Sequence, residues 1–294
     1  VNGRPETVGY LGLLRIAPGY RAGTLMARGF RRIREFHNRG SARIYLTVVA
    51  EDSPEALRLL ESGRCGLPQS RDLGRLQTFV LSSKMIQRRG ALTPSLDIYL
   101  AGPDDAADVV DLLARGRERQ FFPMYHEQDL ASPGGLLRGL SVNDVLVCRR
   151  EGVLVGVMGC WDQRPFRRQV VMGYDRKTAL LRPLYNLAAP LHGHPRLPRE
   201  GTAALTMIVG PTYIPGADSD VLSGLLREAA IKATALGLDS LAIMAHESDP
   251  LNALLQPLPA VRVDSRLLLC WYEDGQDLAD TVDTRPPYLE LGSL

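Results

Sequence analysis

The stretch Leu14-Arg15-Ile16-Ala17-Pro18-Gly19-Tyr20-Arg21-Ala22-Gly23 joins an apolar run to an amphipathic segment, and it decides how the chain is interpreted. Residues 8–17 are almost continuously apolar, as expected of a strand that is buried on both faces. After the turn at 18–23, Thr24 can cap a helix that extends to about residue 39, with apolar side chains at helical spacing. The stretch therefore predicts a strand, a glycine-containing turn and a helix.

The segments that follow complete a first unit of alternating strands and helices. Residues 44–50 are rich in β-branched side chains and predict a strand. A short helix follows from Pro54 to about residue 60, and residues 76–81 predict another strand. The order is strand, helix, strand, helix, strand, which is typical of an α/β fold.

The same order recurs near the C-terminus. Both copies carry the pattern P-x-Y-x-x-G after the first strand, at residues 18–23 and 211–216, so the two turns lie 193 residues apart. In the second copy Asp218 or Asp220 is predicted to cap a helix to about residue 236. The remaining elements predicted for this copy are strands at 203–209, 241–245 and 266–272 and a short helix beginning at 250. A repeat of this length indicates a duplicated unit.

The region between the copies supplies the opening elements of the second unit. Predicted here are a strand at 96–100, a helix at 104–119, a hairpin of strands 145–150 and 153–161, a strand at 169–174 and a helix at 177–188. Residues 288–291 are a candidate for a last strand. We divide the chain into an incomplete first unit (1–87), a linker (88–95), a complete second unit (96–272) and a tail (273–294). Because the first unit lacks opening strands, we expect the chain to be an N-terminal truncation of a longer protein.

The composition is that of a globular protein, with 45% hydrophobic and 23% charged residues. No apolar run approaches the roughly 18 residues of a membrane span. A net charge of +2 gives no reason to expect a polyanionic partner. Cys148, Cys160 and Cys270 lie in strand-like runs without metal-ligand spacing, so we expect them to be reduced and buried. We therefore expect a cytoplasmic protein without a membrane or nucleic-acid partner and without a metal.

This order of elements resembles the GNAT acetyltransferases, and in particular bacterial proteins with two GNAT-like units in tandem. The residues that carry the resemblance are residues 14–23 and 45–52, Trp161-Asp162-Gln163, residues 182–186 and Tyr288-Leu289-Glu290. The resemblance implies an α/β protein with mixed sheets that transfers acetyl from acetyl-CoA to an amine on a small molecule or peptide.

The resemblance also implies where the cofactor would bind. The backbone of Arg15, Ile16 and Ala17 would pair with the pantetheine arm. The turn and helix start formed by Arg21, Ala22, Gly23 and Thr24 would face the pyrophosphate, since a helix N-terminus favours anions. The family pattern R/Q-x-x-G-x-G/A, begun at Arg21, is not met, because Thr24 and Met26 occupy its positions for small residues.

The corresponding turn in the second copy differs in charge. Residues 215–220 contain no basic residue, and Asp218 and Asp220 place two carboxylates at the helix start. Carboxylates there stabilise a helix without a ligand but would repel a pyrophosphate. We therefore predict that the second copy is degenerate and that the first copy holds the cofactor.

Candidate acid–base residues follow the strands that precede the short helices. Glu51 and Asp52 follow strand 44–50 and are our candidates for the catalytic base, although the residue preferences of helix caps favour Asp52 or Ser53 as a cap. His246 and Glu247 hold the same place in the second copy, as a proton relay or as a solvated strand end.

Two further groups of residues are considered for binding. A candidate acceptor pocket involves Trp161, Asp162, Gln163 and Arg168, which follow the hairpin, although a Trp at a strand end is more often part of a core. His192-Gly193-His194 has no third ligand at convincing spacing, so no metal site is predicted.

The sequence thus favours an N-acetyltransferase with an unknown amine acceptor. One alternative is a non-catalytic GNAT-like module for ligand binding or assembly, which the absence of a Tyr on the short helix after Pro54 favours. A second alternative is a tRNA-dependent aminoacyl transferase, which would require a basic groove.

Overall fold

The computed structural model describes residues 1–12, 24–62, 66–88, 93–132 and 134–294. The strands are β1 (Val8–Tyr10), β2 (Ile44–Ala50), β3 (Gln69–Ser82), β4 (Leu96–Leu100), β5 (Val145–Arg150), β6 (Val153–Trp161), β7 (Thr206–Tyr213), β8 (Ser240–His246) and β9 (Ala260–Trp271). The helices are α1 (Leu25–His37), α2 (Pro54–Glu61), α3 (Ser83–Arg88), α4 (Ala106–Ala114), α5 (Glu127–Ala131), α6 (Arg176–Ala188), α7 (Ser219–Ala235), α8 (Pro250–Leu255) and α9 (Gln276–Thr281). None of these helices combines the length and apolar composition needed to cross a bilayer.

All of these strands belong to one mixed sheet in the order β1-β2-β9-β3-β8-β7-β6-β5-β4. Its parallel pairs are β1–β2 and β7–β8, and the other neighbours are antiparallel. The predicted α/β class with a mixed sheet is confirmed.

The two long strands β3 and β9 are neighbours in the interior of the sheet. β9, from the end of the chain, lies among strands of the first half, and β3 extends towards strands of the second half. β9 lies between β2 and β3, and β3 lies between β9 and β8. Ile44–Ala50 faces residues 271–265 of β9, and Ser240–His246 faces residues 82–76 of β3, seven pairs in each case. Leu76 and Ser265, where these two ladders end, face each other. The two ladders are therefore arranged about a local two-fold, and the division into two units stays a prediction.

Each half also contains a short parallel pair, and the pair in the second half opens into a fork. β1 and β2 pair at three positions beginning with Val8 and Ile44, and β7 and β8 pair at three positions beginning with Thr206 and Ser240. Beyond these pairs β7 stays with β6 while β8 stays with β3. We call the β1–β2 pair the first fork and the β7–β8 pair the second fork.

Helices cover both faces of the second half of the sheet. The apolar side of α7 packs with β3, β6 and β8 in one buried cluster, which includes Leu225 and Phe79. On the other face α4 packs with β6 and β7, including Leu113 and Trp161. Trp161 is 1% exposed and donates its indole N–H to the Arg138 carbonyl, so it is a core residue. The three predicted buried cysteines, Cys148, Cys160 and Cys270, are all in the core.

The predicted hairpin has the predicted bounds. Glu151 and Gly152 both have positive φ, at 51° and 80°, which matches the twist of a tight two-residue turn. Several other predicted elements lie at their predicted place in the chain but begin or end at different residues. β3, for example, begins seven residues before its predicted start.

Several sequence-based assignments were wrong. Residues 288–291 do not form a strand: Pro287 makes one isolated bridge to Gln120, and Leu291–Ser293 is a short 3-10 turn. Residues 169–174 do not form a strand: they make one isolated bridge, from Val170 to Ala203, and backbone hydrogen bonds to residues 201–204. The residues at 211–213, predicted as a turn, belong to β7, because they continue the ladder with β6. The predicted helix at 104–119 changes to a 3-10 helix at Arg115.

We expect Leu76→Ala to destabilise the whole protein, because Leu76 is 1% exposed at the centre of the β3–β9 pairing. The loss in the free energy of unfolding should be about 2–5 kcal/mol, as for other buried Leu to Ala changes. Chemical denaturation measures it. Val263→Ala, at a 49% exposed position of β9, is the control and should cost far less. Equal effects of the two substitutions would contradict the central role of this pairing.

Candidate functional site

The start of α1 is the described part of the predicted cofactor site. Arg15, Ile16, Ala17, Arg21, Ala22 and Gly23 lie outside the described residues. Thr24 directly precedes α1, its side chain forms no capping hydrogen bond, and the first turn of α1 contains no acidic residue. In the first fork, the Leu11 N–H donates to the Leu46 carbonyl and the Thr47 hydroxyl donates to the Leu11 carbonyl.

The start of α7, at the corresponding place in the second half, is already bonded to a carboxylate. Asp218 accepts hydrogen bonds from the backbone of Asp220 at 2.9 Å and of Val221 at 3.2 Å. Its other oxygen lies 3.0 Å from the Arg150 guanidinium. Burial acts to raise the pKa of Asp218, but these hydrogen bonds outweigh it and hold the pKa below its ordinary value. The predicted cap is confirmed, and the donors that a pyrophosphate would use are occupied.

A buried ion pair spans the second fork. The Arg119 Nε lies 2.6 Å from Asp249 Oδ2, and Arg119 Nη2 donates to Asp249 Oδ1 at 3.2 Å. The guanidinium also lies 5.4 Å from the centroid of the Tyr213 ring. Tyr213 ends β7 and Asp249 follows β8, so Arg119 connects the two arms of the fork. Sequence reasoning missed this pair, because nothing near Arg119 marks its partner 130 residues away.

Removing one charge of this pair should lower the free energy of unfolding strongly, and removing the second charge as well should add little further loss. Arg119 and Asp249 are 7% and 4% exposed, so Arg119→Met leaves a buried carboxylate without its partner and should cost about 3–5 kcal/mol of unfolding free energy. Asp249→Asn keeps an acceptor for the N–H of Leu251 at the start of α8. We expect the double variant to lose less than the sum of the single losses in chemical denaturation. Additive losses would show that the two side chains are not coupled.

The C-terminal segment brings a buried acid against the second fork. Glu290 is 3% exposed and accepts hydrogen bonds from the hydroxyls of Tyr288 at 2.6 Å and Tyr125 at 3.2 Å, and from the Gly292 N–H at 3.2 Å. Its Oε1 lies so close to Gly210 of β7 that a Cβ at that position would collide with it. Burial raises the pKa of Glu290 against the opposing effect of these hydrogen bonds.

Glu290 should make the stability of the protein depend on pH. Because its pKa is higher in the folded state than its ordinary value of 4.5, the folded state binds the proton more tightly. The stabilisation is complete below 4.5 and is lost as the pH rises through the folded-state pKa. Glu290→Gln removes this titration, so its unfolding free energy relative to wild type should increase with pH. Denaturation at a series of pH values tests this, with the exposed Glu6→Gln as control. Parallel curves for Glu290→Gln and wild type would contradict it.

The candidate base Glu51 belongs to a charged cluster at the middle of the sheet. Arg75 of β3 and Arg266 of β9 face each other there. Glu51 Oε1 lies 3.5 Å from Arg75 Nε, and Glu247 Oε1 accepts the Arg75 backbone N–H at 2.9 Å. Arg266 Nε donates to Asp72 Oδ2 at 2.9 Å. The structure thus brings Glu51 and Glu247, which follow β2 and β8, together around one arginine.

His246 lies beside this cluster as a buried residue whose two ring nitrogens are both hydrogen-bonded. It is 4% exposed, its Nε2 lies 2.9 Å from the Leu73 carbonyl and its Nδ1 lies 2.8 Å from the Ser248 hydroxyl. Only a donating Nε2 satisfies the carbonyl, so one neutral tautomer is fixed. Burial lowers its pKa. Its nitrogens bond to Leu73 and Ser248, so the proposed relay to Glu247 is not the arrangement found.

The other candidate, Asp52, is an exposed residue of the turn before α2. Ser53 occupies the position before the helix, but its side chain forms no capping bond, and Pro54 begins the helix. Ser53 therefore occupies the cap position of α2, as expected, but its side chain does not form the expected capping hydrogen bond.

A cavity of about 270 Å³ lies beside residues 161–168, where an acceptor pocket was considered. It is lined by Gln163, Arg164, Arg167, Arg168, Gln169, Thr206, Ile208 and residues 203–205. Arg164 is paired with Asp162 at 2.7 Å. Within the ranges that the structure describes, no three His, Cys, Asp or Glu side chains gather in a way that could hold a metal ion.

No protein-family model matches the chain, and no curated protein matches it. Solved structures do. A GCN5-related N-acetyltransferase from Sphaerobacter thermophilus is similar with a TM-score of 0.54 at 12% identity, over 94% of this chain and 73% of that chain. A GCN5-related glucosamine N-acetyltransferase region of a fungal multi-domain GH3 β-N-acetylglucosaminidase is similar with a TM-score of 0.57 at 11% identity, over 88% of this chain and 29% of that chain. The chain therefore has the GNAT fold, as its sequence predicts.

Proposed function

We propose that the protein is a GNAT-type acyltransferase that binds acetyl-CoA at the first fork and the start of α1. The contrast between the two halves carries this proposal. In the second half Asp218 occupies the first turn of α7, and Arg119 and Asp249 connect the arms of the fork. The first turn of α1 contains no carboxylate, and a helix start without one attracts a pyrophosphate.

In this proposal different residues around the first fork bind different parts of acetyl-CoA. The backbone of Arg15, Ile16 and Ala17, which follow β1 in the sequence, would pair with the pantetheine arm. Arg21, with the backbone of Ala22, Gly23 and Thr24, would hold the pyrophosphate, because a guanidinium matches phosphate geometry. The resemblance to GNAT enzymes and the position of Thr24 before α1 support these assignments.

Glu51 and Asp52 are the proposed acid–base residues, and Glu51 has the stronger structural support. It follows β2, one arm of the first fork, and Arg75 lies 3.5 Å from its carboxylate. Acetyl-CoA supplies an acetyl group activated as a thioester. Glu51 would take a proton from the amine as its nitrogen bonds to the acetyl carbon and the thiolate leaves. The acceptor would be an amine on a small molecule or a peptide.

Calorimetric titration of acetyl-CoA into the protein tests this proposal. We expect saturable binding that Arg21→Glu weakens at least about tenfold, since the variant replaces a phosphate partner with a repelling charge. Arg31→Glu makes the same change in net charge on α1, about 9 Å beyond the first residue of the helix, and should retain binding.

Two outcomes would oppose the proposal. Equal weakening by Arg21→Glu and Arg31→Glu would mean that the effect is one of overall charge. No binding by a protein shown to be folded would instead favour a non-catalytic module built on the GNAT fold.

A further inference from the structure

The segment between β6 and β7 carries a helix, α6, whose polar side faces residues 195–198 of the same segment. Arg182 Nη1 donates to the Pro198 carbonyl at 3.1 Å, and the Tyr185 hydroxyl donates to the Pro195 carbonyl at 3.1 Å. Asn186 exchanges two hydrogen bonds with the backbone of Leu197, at 2.9 Å and 2.8 Å. These three side chains are spaced so that they share one side of the helix. The helix is thus attached to the protein through polar bonds.

The opposite side of α6 is a stripe of exposed leucines. Leu180, Leu184 and Leu187, with Leu191 just beyond the helix, are 80%, 68%, 76% and 83% exposed. Their spacing of four, three and four residues places them in one row, which we call the leucine face. Surface helices of globular proteins usually direct such a row towards the core. The orientation of α6 is inverted, and an exposed apolar row of this kind marks an interaction site.

The same segment is strongly basic. Residues 163–200 contain eight Arg and Lys against two acidic residues, a net charge of +6, whereas the whole chain has +2, which leaves −4 for the remainder. Arg176 and Lys177, in the first turn of α6, are exposed and follow the row of the leucines around the helix. The leucine face is therefore bordered by positive charge.

We propose that the leucine face of α6 binds the surface of an anionic lipid bilayer. The leucines would enter the boundary between headgroups and acyl chains, and the basic side chains would attract the lipid phosphates. The charge complementarity favours this partner over a second copy of the chain, because two copies would also bring the exposed Arg176 and Lys177 of each copy to the same interface. The leucines project from the surface instead of lining a groove, which suits a deformable bilayer better than a peptide.

In this arrangement α6 lies along the membrane surface. Its 13 residues span about 20 Å, too short to cross the hydrocarbon core. The sequence-based expectation of no membrane partner rested on the absence of an apolar run long enough to span a bilayer. Binding of an amphipathic helix to the bilayer surface does not require such a run.

Vesicle flotation tests the proposal with two lipid compositions, phosphatidylcholine alone and a 70:30 mixture of phosphatidylcholine and phosphatidylglycerol. We expect wild type to float with the mixed vesicles and to bind them at least about tenfold more tightly than the neutral ones. Raising the salt concentration should weaken this binding, because it screens the charges.

Two variants separate the apolar and the charged contributions. Leu184→Glu with Leu187→Glu should reduce binding to mixed vesicles at least about tenfold, since it places two carboxylates in the leucine face. Arg176→Ala with Lys177→Ala should reduce it at least about fivefold. The matched control is Val153→Glu with Val263→Glu, at positions 64% and 49% exposed elsewhere, and it should bind as wild type does. Circular dichroism and thermal unfolding establish that each variant is folded.

Three results would overturn the proposal. Wild type could bind neither kind of vesicle. The leucine variant and the control could lose binding equally, which would make the effect one of net charge. Sedimentation could show a wild-type dimer that the leucine variant dissociates, without vesicle binding, and the leucine face would then be a contact between copies.

Discussion

The antiparallel pairing of β3 with β9 is the constraint on which the rest of the structure depends. It joins strands from the two ends of the chain, and each of them also completes the neighbouring half of the sheet. The pairing places the ends of β2 and β8 at the same level, so that Glu51 and Glu247 meet around Arg75. Gly74, with φ of 112°, allows the bulge next to His246 where any side chain would collide. The charged cluster therefore exists only because the halves are paired in this register.

The described parts of the two forks differ in their chemistry. In the second half a carboxylate caps α7, an ion pair connects the fork arms and Glu290 lies against β7. Each of these groups satisfies polar atoms from within the protein. A buried ion pair offers little net stability over an apolar contact, so its value here is that it fixes one arrangement of the fork. We therefore propose that the first fork, which lacks these groups in its described part, is the one that binds a ligand.

The sequence predicted the elements well where the signal is local and poorly where it depends on a distant partner. Glu151-Gly152 between two apolar runs determines a tight hairpin, and Asp218 before an apolar-periodic segment determines a helix start. The periodicity of a strand does not indicate which other strand pairs with it, so the pairing of β3 with β9 could not be predicted from the sequence. Nor could the roles of Arg119 and Glu290, because the partners that make their burial tolerable lie 130 and 165 residues away.

The pairing of β3 with β9 also has a consequence for how this protein is made. β3 leaves the ribosome before β8 and β9 do, with almost 180 residues between β3 and β9, and until both arrive the two edges of β3 lack their final neighbours. Pairing at such sequence separation carries a large entropic cost before it is rewarded, which slows folding. An unpaired strand of 14 residues is meanwhile a template for aggregation. Nascent chains therefore need protection during synthesis, and a fragment cut between the halves would keep an open edge permanently.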